Sequence, residues 1–310
     1  MMTDALRSPD RRRCITVLAG AFAGAVIGGR KASAESFEWR GTALGADARI
    51  ILSHPSRAAA KAAVLMAKDE IDRLENILSL YRPGSALSQL NKKAGIDPAP
   101  LELMDVLRRS LWYTEITNGA FDISIQPIWD LYARHFRTHG SAGSGPAPKD
   151  IQDALSKVGA HRIHLTSAGV SMAPGTGLTL NGIAQGYITD RVADLLREQG
   201  WRNVLVDLGE FHAVGGRADG HPWKIKLPGG GLLDMADGAL ATSSADGMRF
   251  SPEVHHIFDP GTGVSAKEPM PVTVRARRAV DADALSTSLS VCDRSDWARI
   301  LARVPGSKVV

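Results

Sequence analysis

The segment Leu178-Thr-Leu-Asn-Gly-Ile-Ala-Gln-Gly186 marks a change from a strand-like pattern to a helical one. Its glycines, Gly182 and Gly186, let the backbone approach a phosphate group closely, because they carry no side chain. The pattern predicts a helix from Gly182 to Gln199 that ends at Gly200, a residue well suited to a helix C-terminus. This part of the chain therefore indicates a binding site for a phosphate-containing ligand at the start of a helix.

A second segment, Asp283-Ala-Leu-Ser-Thr287, offers a carboxylate and a hydroxyl four residues apart. On a helix, side chains at this spacing lie on one face with their Cβ atoms about 5–6 Å apart. Such oxygens suit Mg²⁺, which binds carboxylate, hydroxyl and carbonyl oxygens together with substrate phosphates. Alternatively, Asp283 caps the last helices, a role that Asp281 fills equally well. With the glycine segment, the pattern favours a metal-assisted site for a diphosphate.

Helices are predicted before the first of these segments, and strands are predicted between the two. An amphipathic helix runs from Ser56, its candidate cap, to Leu80, and a second helix spans Pro100–Thr117. After residue 203 the strand-like runs are Val204–Asp207, Phe211–Gly215, Trp223–Leu227, Gly238–Ser243, Val254–Phe258 and Val272–Ala276. Strands grouped between helices predict an α+β fold, one compact domain with a mixed or antiparallel sheet flanked by helices.

The charge balance of the chain argues against nucleic acid as a partner. The 310 residues contain 37 Lys and Arg against 33 Asp and Glu, and 44% of them are apolar, enough for a substantial core. Residues 1–34 hold six basic and two acidic residues, which leaves 31 of each in the remainder. A nucleic-acid-binding domain is expected to carry a basic surface, and residues 35–310 have no such excess.

Residues 1–34 are predicted to be an export signal. Three arginines, residues 11–13, precede an apolar stretch rich in glycine and alanine, and Ala32-Ser33-Ala34 suits cleavage before Glu35. The arginines, the weakly apolar core and the late positive charges resemble a twin-arginine signal. A general secretory signal or an uncleaved anchor is the alternative. The expected product is a periplasmic domain of residues 35–310.

Cys292 is the sole cysteine of residues 35–310. One cysteine cannot form an internal disulfide, even in an oxidising compartment. Because it follows the apolar run Leu-Ser-Val, a buried and unreactive thiol is predicted rather than a nucleophile.

Eight short segments, in order along the chain, together resemble the ApbE family of FAD:protein FMN transferases. Each is weakly specific alone, but the ordered set covers nearly all of residues 35–310. They are Arg40–Gly45, Leu78–Asn91, Thr117–Asp122, Leu180–Tyr187, Leu205–Glu210, Ala239–Ser243, His256–Gly263 and Asp283–Thr287. The resemblance implies an ApbE-like domain that uses Mg²⁺ to move FMN from FAD to a Thr or Ser of a target flavoprotein, releasing AMP.

The resemblance also implies a set of catalytic and metal-binding residues. Mg²⁺ would be held by the Asp283 carboxylate, the Thr287 hydroxyl and the backbone carbonyls of Gly182 and Ser286. A metal there neutralises diphosphate charge and acts as a Lewis acid. His256 is the candidate acid or base, because histidine titrates near neutrality; a hydrogen-bonded structural histidine is the alternative.

The FAD contacts implied by the resemblance come from several parts of the chain. Tyr81 would stack on the isoalloxazine, or else cover a helix end as a half-buried tyrosine. Asn91 would contact the flavin or order a loop, Asp122 would accept hydrogen bonds from the ligand, and Phe121 is either a ligand contact or simply core. The full set is Leu44, Tyr81, Asn91, Ala120, Phe121, Asp122, Thr179, Gln185 and Ile257.

The chain departs from the family pattern at several of these positions. Thr179 stands where Asp is frequent, Gln185 where Lys or Glu is usual, and Leu44 replaces a frequent Met. The usual Gly-Gly-Asp is Gly-Glu-Phe at residues 209–211. These changes affect the FAD contacts and not the metal pair. The Gly-Glu version and the apparent twin-arginine signal resemble the branch associated with nitrous oxide reductase maturation, whose target would be a membrane-bound respiratory flavoprotein.

Other functions share some of these features. A periplasmic protein that binds or delivers FAD without catalysis would not need Asp283 and Thr287. An FAD diphosphatase, giving FMN and AMP, would use the same site with water as the acceptor, so the sequence does not separate it from a transferase. A solute-binding protein would be expected to show a two-lobed repeat, which the sequence lacks.

Overall fold

The computed structural model describes residues 16–17, 35–141, 145–267 and 270–310. Apart from residues 16–17, the predicted export signal lies outside these described residues. In the described part, no helix combines the length and apolar character that crossing a bilayer requires. The strands are β1 (Thr16–Val17), β2 (Glu35–Ala43), β3 (Ala46–His54), β4 (Gly95–Ile96), β5 (Ile163–Leu165), β6 (Val170–Met172), β7 (Val204–Asp207), β8 (Phe211–Val214), β9 (Trp223–Lys226), β10 (Leu232–Met235), β11 (Gly238–Ser243), β12 (Val272–Ala276) and β13 (Lys308–Val309). The helices are α1 (Arg57–Leu78), α2 (Ala86–Lys93), α3 (Leu101–Ile116), α4 (Gln126–His139), α5 (Pro148–Leu155), α6 (Ala184–Glu198), α7 (Ala279–Leu289) and α8 (Trp297–Ala302).

The main sheet has seven strands in the order β13-β12-β11-β8-β7-β3-β2. Every neighbouring pair in it is antiparallel, as in the register that places Ile50 opposite Val206 and Ile51 opposite Leu205. The central strands β7 and β8 are buried along their whole length, so their polar residues Asp207 and His212 are enclosed together with the apolar ones. The antiparallel sheet and the α+β class agree with the sequence prediction.

Helices α1, α6 and α7 cover one face of this sheet. Helix α1 begins where the sequence predicts, because the Ser56 hydroxyl accepts a hydrogen bond from the Ala59 amide at 3.2 Å. Its buried stripe recurs every three or four residues, as expected for a helix on an apolar core. The stripe consists of Ala60, Ala63, Val64, Ala67, Ile71, Leu74 and Leu78.

The opposite face is covered by the hairpin of β9 and β10. Trp223 and Ile225 of β9 pack with Met235 of β10 against Leu205 and Phe211 of the sheet. Both faces of the central strands are therefore removed from water. This arrangement leaves the ends of the strands as the place where polar side chains meet the surface.

A smaller apolar cluster joins α4 and α5 to the loop that carries His256. Tyr132 packs at 4.6 Å, between ring centroids, against Phe258. The strand predicted over Val254–Phe258 is wrong. The chain folds back on itself there, since the amide of Phe250 donates to the carbonyl of Val254 at 2.8 Å, and Phe258 points to α4 instead of the sheet.

Helix α7 begins at Ala279, four residues before Asp283. The carboxylate of Asp190 on α6 accepts hydrogen bonds from the amides of Ala279 and Val280, at 2.7 and 3.0 Å. An anion at this position satisfies amides that lack a partner within the helix. Asp283 consequently lies inside the helix, so the N-cap role considered for it is wrong.

Candidate active site

One cleft contains most of the residues singled out in the sequence. It is bordered by the loop before α4, the start of α6, the end of β11, the His256 loop and one face of α7. The predicted residues that line it are Ala120, Phe121, Asp122, Thr179, Gly182, Gln185, His256, Ile257, Asp283 and Thr287. Leu44, Tyr81, Asn91 and Ser286 lie outside the lining, and their places are described below.

The candidate metal ligands Gly182, Asp283 and Thr287 lie together where α6 meets α7. Asp283 is 4% exposed, and its Oδ2 accepts a hydrogen bond from the Gly186 amide at 2.9 Å. A Cβ atom at Gly182 would lie 3.0 Å from the Thr287 hydroxyl oxygen, so this backbone runs directly beside Thr287. All three positions supply oxygen, the donor type that Mg²⁺ prefers, so the residues present fit the ion.

Gly186 is what lets the two helices approach so closely. A Cβ at this position would collide with the Ala279 carbonyl and lie 2.8 Å from the Asp283 Cβ. A glycine is therefore required for packing, and the same packing brings the Asp283 carboxylate to the amide of α6.

Ser286 is buried in α7 and does not reach the cleft. Its backbone carbonyl accepts hydrogen bonds from the Ser290 amide and the Ser290 hydroxyl, at 3.2 and 2.8 Å. A carbonyl oxygen has two lone pairs, so both are already used within the helix. The Ser286 hydroxyl lies 2.8 Å from the Ser243 hydroxyl instead.

Ser243 is a site residue that the sequence analysis did not single out. It lies at the end of β11, lines the cleft and places its hydroxyl 3.2 Å from that of Thr287. It stands in the matched segment Ala239–Ser243, and a polar residue where a buried strand ends is the signal that identifies it.

The adjacent histidines His255 and His256 have different environments. His256 lines the cleft, and its Nδ1 lies 3.0 Å from the Met248 carbonyl. Because a carbonyl only accepts, Nδ1 carries the proton and Nε2 has the lone pair that a base uses. His255 is buried, with Nε2 2.9 Å from the Ala266 carbonyl, and burial lowers its pKa. Both histidines are hydrogen-bonded to backbone carbonyls, and His256 is the one of the two that lines the cleft.

Tyr81 stands beside the cleft. Its side chain is half exposed, and its hydroxyl accepts a hydrogen bond at 3.1 Å from the side-chain Nδ2 of Asn181, a residue that lines the cleft. The adjacent Arg82 pairs with Glu75, which also accepts a hydrogen bond from the Leu44 amide. Leu44 is thereby held next to the Tyr81 segment through its backbone, although the two are far apart in sequence.

Asn91 orders the loop that leads into α6. Its side-chain amide nitrogen donates to the Leu178 carbonyl, and its oxygen accepts from the Leu178 amide, both at 2.8 Å. This two-point contact supports the loop-ordering role rather than a contact with the flavin. It fixes the backbone immediately before Thr179, whose amide donates to the Ile123 carbonyl at 2.8 Å.

The loop at residues 120–122 has its own internal supports. The Asp122 carboxylate accepts hydrogen bonds from the amide and hydroxyl of Ser124, at 2.8 and 2.6 Å, and burial raises its pKa. Phe121 is 4% exposed and packs edge-on against Tyr113, with ring centroids 5.9 Å apart. Its ring is therefore largely core, although part of the residue borders the cleft.

Two buried carboxylates in the cleft wall, Asp207 and Glu210, were also missed by sequence reasoning. They flank the tight connection of β7 and β8, where Gly209 has a φ of 110°. The Gln185 side chain packs on this glycine and donates to the Leu208 carbonyl at 3.4 Å. A pair of acidic residues around a glycine between two apolar strands is the signal available in the sequence.

Comparisons with known proteins identify the family of this chain. The model of the ApbE family matches residues 44–310. An FAD:protein FMN transferase of Treponema pallidum is 30% identical over 272 residues, covering 76% of this chain and 73% of that protein. An enzyme of the same name from Vibrio cholerae is 30% identical over 254 residues, covering 72% of each. These relatives confirm the prediction of an enzyme of the flavin-transferase class. The chain belongs to the ApbE family.

Solved structures confirm the ApbE-like fold. The ApbE protein of Thermotoga maritima superposes with a TM-score of 0.78 at 26% identity, over 89% of this chain and 93% of that one. The flavin transferase ApbE of Vibrio cholerae gives a TM-score of 0.75 at 23% identity, with the same coverage.

Proposed function

We propose that this chain transfers the FMN half of FAD to a Thr or Ser hydroxyl of a target flavoprotein, with Mg²⁺, and releases AMP. The observation that carries the proposal is the convergence of Gly182, Asp283 and Thr287 on one wall of a cleft that also contains His256. The names of the relatives supply the reaction class, and the oxygen donors supply the argument for the metal.

The Asp283 carboxylate, the Thr287 hydroxyl and the Gly182 carbonyl are the groups that would hold Mg²⁺. When bound there, the ion neutralises charge on the diphosphate and polarises its oxygens. Burial of Asp283 at 4% exposure excludes water from one side of this site, which strengthens the attraction between the carboxylate and a cation.

His256, which lines the cleft, would accept the proton of the attacking hydroxyl. The oxygen of the target Thr or Ser forms a bond to the FMN phosphorus, and its proton passes to His256 Nε2. The bond from that phosphorus to the bridging oxygen breaks, and AMP leaves with the electron pair. The hydrogen bond from Nδ1 to the Met248 carbonyl holds the imidazole in the tautomer that this step needs.

The remaining predicted contacts surround the dinucleotide. Tyr81, half exposed and fixed by Asn181, presents a ring on which the isoalloxazine stacks. The loop at residues 120–122, together with Thr179, Gln185 and Ile257, borders the space for the rest of FAD.

Export and the nature of the target belong to the proposal as well. The arginines at 11–13 and the small-residue site before Glu35 support passage to the periplasm by the twin-arginine route. The acceptor is then a membrane-bound flavoprotein of the respiratory system, as in the family branch that the Gly209-Glu210 pair resembles. The neutral balance of residues 35–310 argues against nucleic acid.

A labelling experiment tests the reaction. Purified residues 35–310 are incubated with FAD, Mg²⁺ and candidate membrane flavoproteins, and covalent flavin is read by in-gel fluorescence. Labelling is expected with the wild-type chain and is expected to disappear in Asp283→Asn or with a chelator. Asp234→Asn, which removes an exposed carboxylate paired with Lys224, is the matched control and should label normally.

The same samples separate the competing functions when FAD, FMN and AMP are also quantified. Release of FMN and AMP at equal rates with and without a target would indicate a diphosphatase. Bound FAD that is never consumed would indicate a carrier protein. Full labelling by Asp283→Asn would contradict the metal assignment.

A further inference from the structure

A chain of three hydroxyl groups connects the candidate metal ligand Thr287 to the backbone of its own helix. Thr287 Oγ1 lies 3.2 Å from Ser243 Oγ, which lies 2.8 Å from Ser286 Oγ. Ser286 Oγ in turn lies 3.1 Å from the Asp283 carbonyl oxygen. This series of hydrogen bonds therefore connects the candidate ligand Thr287 to the backbone of the candidate ligand Asp283, through Ser243 of β11.

The end of this chain fixes the direction of every hydrogen bond in it. A carbonyl oxygen only accepts, so the single hydrogen of Ser286 points to Asp283. Ser243 must then donate to Ser286, and Thr287 must donate to Ser243, because each hydroxyl carries one hydrogen. The Thr287 oxygen is left as an acceptor toward the cleft, which is the state in which a neutral hydroxyl binds a cation.

The neighbouring hydroxyls at the C-terminal end of α7 behave differently. Ser288 and Ser290 donate to the carbonyls four residues earlier, those of Ala284 and Ser286, at 2.5 and 2.8 Å. This is the usual choice of a serine or threonine inside a helix, and it draws the hydroxyl onto the helix backbone. Thr287 bonds to Ser243 across the interface between helix and sheet instead, so its orientation depends on β11.

We propose that Ser243 is a positioning residue for a divalent cation: it accepts a hydrogen bond from the Thr287 hydroxyl and thereby turns a Thr287 lone pair toward the metal. The inference rests on the proposed function, since it requires the cation between Asp283 and Thr287. Ser286 acts in the same chain through its hydroxyl, which explains a buried serine whose carbonyl is already occupied by Ser290.

Removing the Ser243 hydroxyl takes away the acceptor that fixes the direction of the Thr287 hydrogen. The Thr287 hydroxyl would then be free to rotate, and its lone pair would no longer be held toward the cleft. Loss of partners that orient a metal ligand typically weakens metal affinity by about 10- to 100-fold. We expect about a tenfold loss for Ser243→Ala, because the Asp283 carboxylate remains in place.

Direct metal binding tests the inference without relying on activity. Mn²⁺ is titrated into residues 35–310 saturated with FAD, and free Mn²⁺ is measured by electron paramagnetic resonance. Ser243→Ala should weaken binding about tenfold, and Ser243→Thr, which keeps a hydroxyl, should restore it. Thr273→Val is the matched control. It removes a buried hydroxyl that pairs with Thr242 at 2.9 Å on the neighbouring strands, and should bind Mn²⁺ like the wild type.

A double-mutant cycle distinguishes positioning from a general loss of structure. In the Thr287→Val background, Ser243→Ala should have no further effect on Mn²⁺ affinity, because its only route to the metal is gone. An additional tenfold loss there would overturn the inference. Ser286→Ala breaks the same chain one step further on and should weaken binding in the same direction, which provides a second variant should Ser243→Ala not fold.

The outcomes also separate this inference from the proposed function. If Asp283→Asn binds Mn²⁺ as tightly as the wild type, the metal site itself is wrong. If Asp283→Asn loses the ion while Ser243→Ala retains full affinity, the metal site stands and the role of Ser243 is overturned.

Discussion

His212 Nδ1 lies 2.6 Å from Asp190 Oδ1, and both side chains are buried between α6, β8 and the start of α7. The same carboxylate accepts the amides of Ala279 and Val280. Asp283 follows one turn later in α7. The Asp190–His212 pair thus fixes the N-terminal end of α7, the helix that carries the candidate metal ligands Asp283 and Thr287. Asp190 belongs to α6, the helix that also carries Gly186.

Replacement of Asp190 by alanine should destabilise the whole domain. The substitution leaves His212 and the first amides of α7 buried without their acceptor, and breaking such a buried pair costs about 3 kcal/mol or more. Urea unfolding followed by circular dichroism measures the change in the free energy of unfolding.

Asp194→Ala is the comparison for Asp190→Ala. Asp194 also pairs with Arg278, at 2.6 Å, but its side chain is about a quarter exposed, so we expect a loss of about 1 kcal/mol. Equal decreases in the free energy of unfolding in the two variants would show that the contacts of Asp190 with the start of α7 do not stabilise the domain more than a surface ion pair does.

Gly186→Ala should damage both stability and metal binding. Its Cβ would collide with the Ala279 carbonyl, forcing α7 away from α6, and overpacking of this kind costs about 1–3 kcal/mol. Because the hydrogen bond from the Gly186 amide to Asp283 crosses the same interface, Mn²⁺ affinity should fall together with the melting temperature.

The matched control for this substitution is Gly229→Ala. An added Cβ at Gly229 meets nothing within 4 Å, so stability and Mn²⁺ affinity should stay close to wild type. Unchanged Mn²⁺ binding in a destabilised Gly186→Ala would show that the close approach of the helices serves packing alone.

Local patterns in the sequence were sufficient for the strands and helices with strong periodicity. Strands Val204–Asp207, Gly238–Ser243 and Val272–Ala276 match the prediction to the residue, because each is a short strand-like run set off by Gly, Pro or Asp. Helix α4 was missed because its apolar stripe, at Ile128, Tyr132 and Phe136, is narrow and mostly aromatic, and its partner is a loop more than a hundred residues later.

The site was predictable as a set of residues and not as a set of contacts. The sequence fits Asn91 equally well as a ligand contact or as a loop support, and its pairing with Leu178, 87 positions away, is visible only in the folded chain. Ser243 acquires a role only through hydroxyls more than forty positions later in the chain. Sequence spacing gives the i,i+4 pair of Asp283 and Thr287, but it contains no information on which strand faces that pair.

His255 should make stability depend on pH below neutrality. Burial lowers its pKa in the folded state, so the unfolded chain binds the proton first as the pH falls through the ordinary value of 6.5. The free energy of unfolding therefore loses nothing to His255 above that pH. It decreases as the pH falls from that value toward the lowered pKa, by at most about 1.4 kcal/mol per pH unit.

The variant His255→Gln tests this linkage. Glutamine keeps a donor for the Ala266 carbonyl but does not titrate, so urea unfolding between pH 7 and 5 should show a shallower loss than in the wild type. If the free energy of unfolding depends on pH with the same slope in both proteins, other titrating groups cause the decrease in stability.

Tyr81 offers a separate test of flavin recognition, because its ring and its hydroxyl make different contacts. The hydroxyl accepts from Asn181, whereas the ring is half exposed and available for stacking. Loss of a stacked aromatic costs about 1–3 kcal/mol, so Tyr81→Ala should weaken FAD binding about tenfold or more, while Tyr81→Phe should change it about twofold. Quenching of flavin fluorescence on titration measures both. If Asn181 serves to hold the Tyr81 ring in place, Asn181→Ala should change FAD affinity about as much as Tyr81→Phe does. Equal FAD affinity in Tyr81→Ala and the wild type would show that Tyr81 does not contact the flavin.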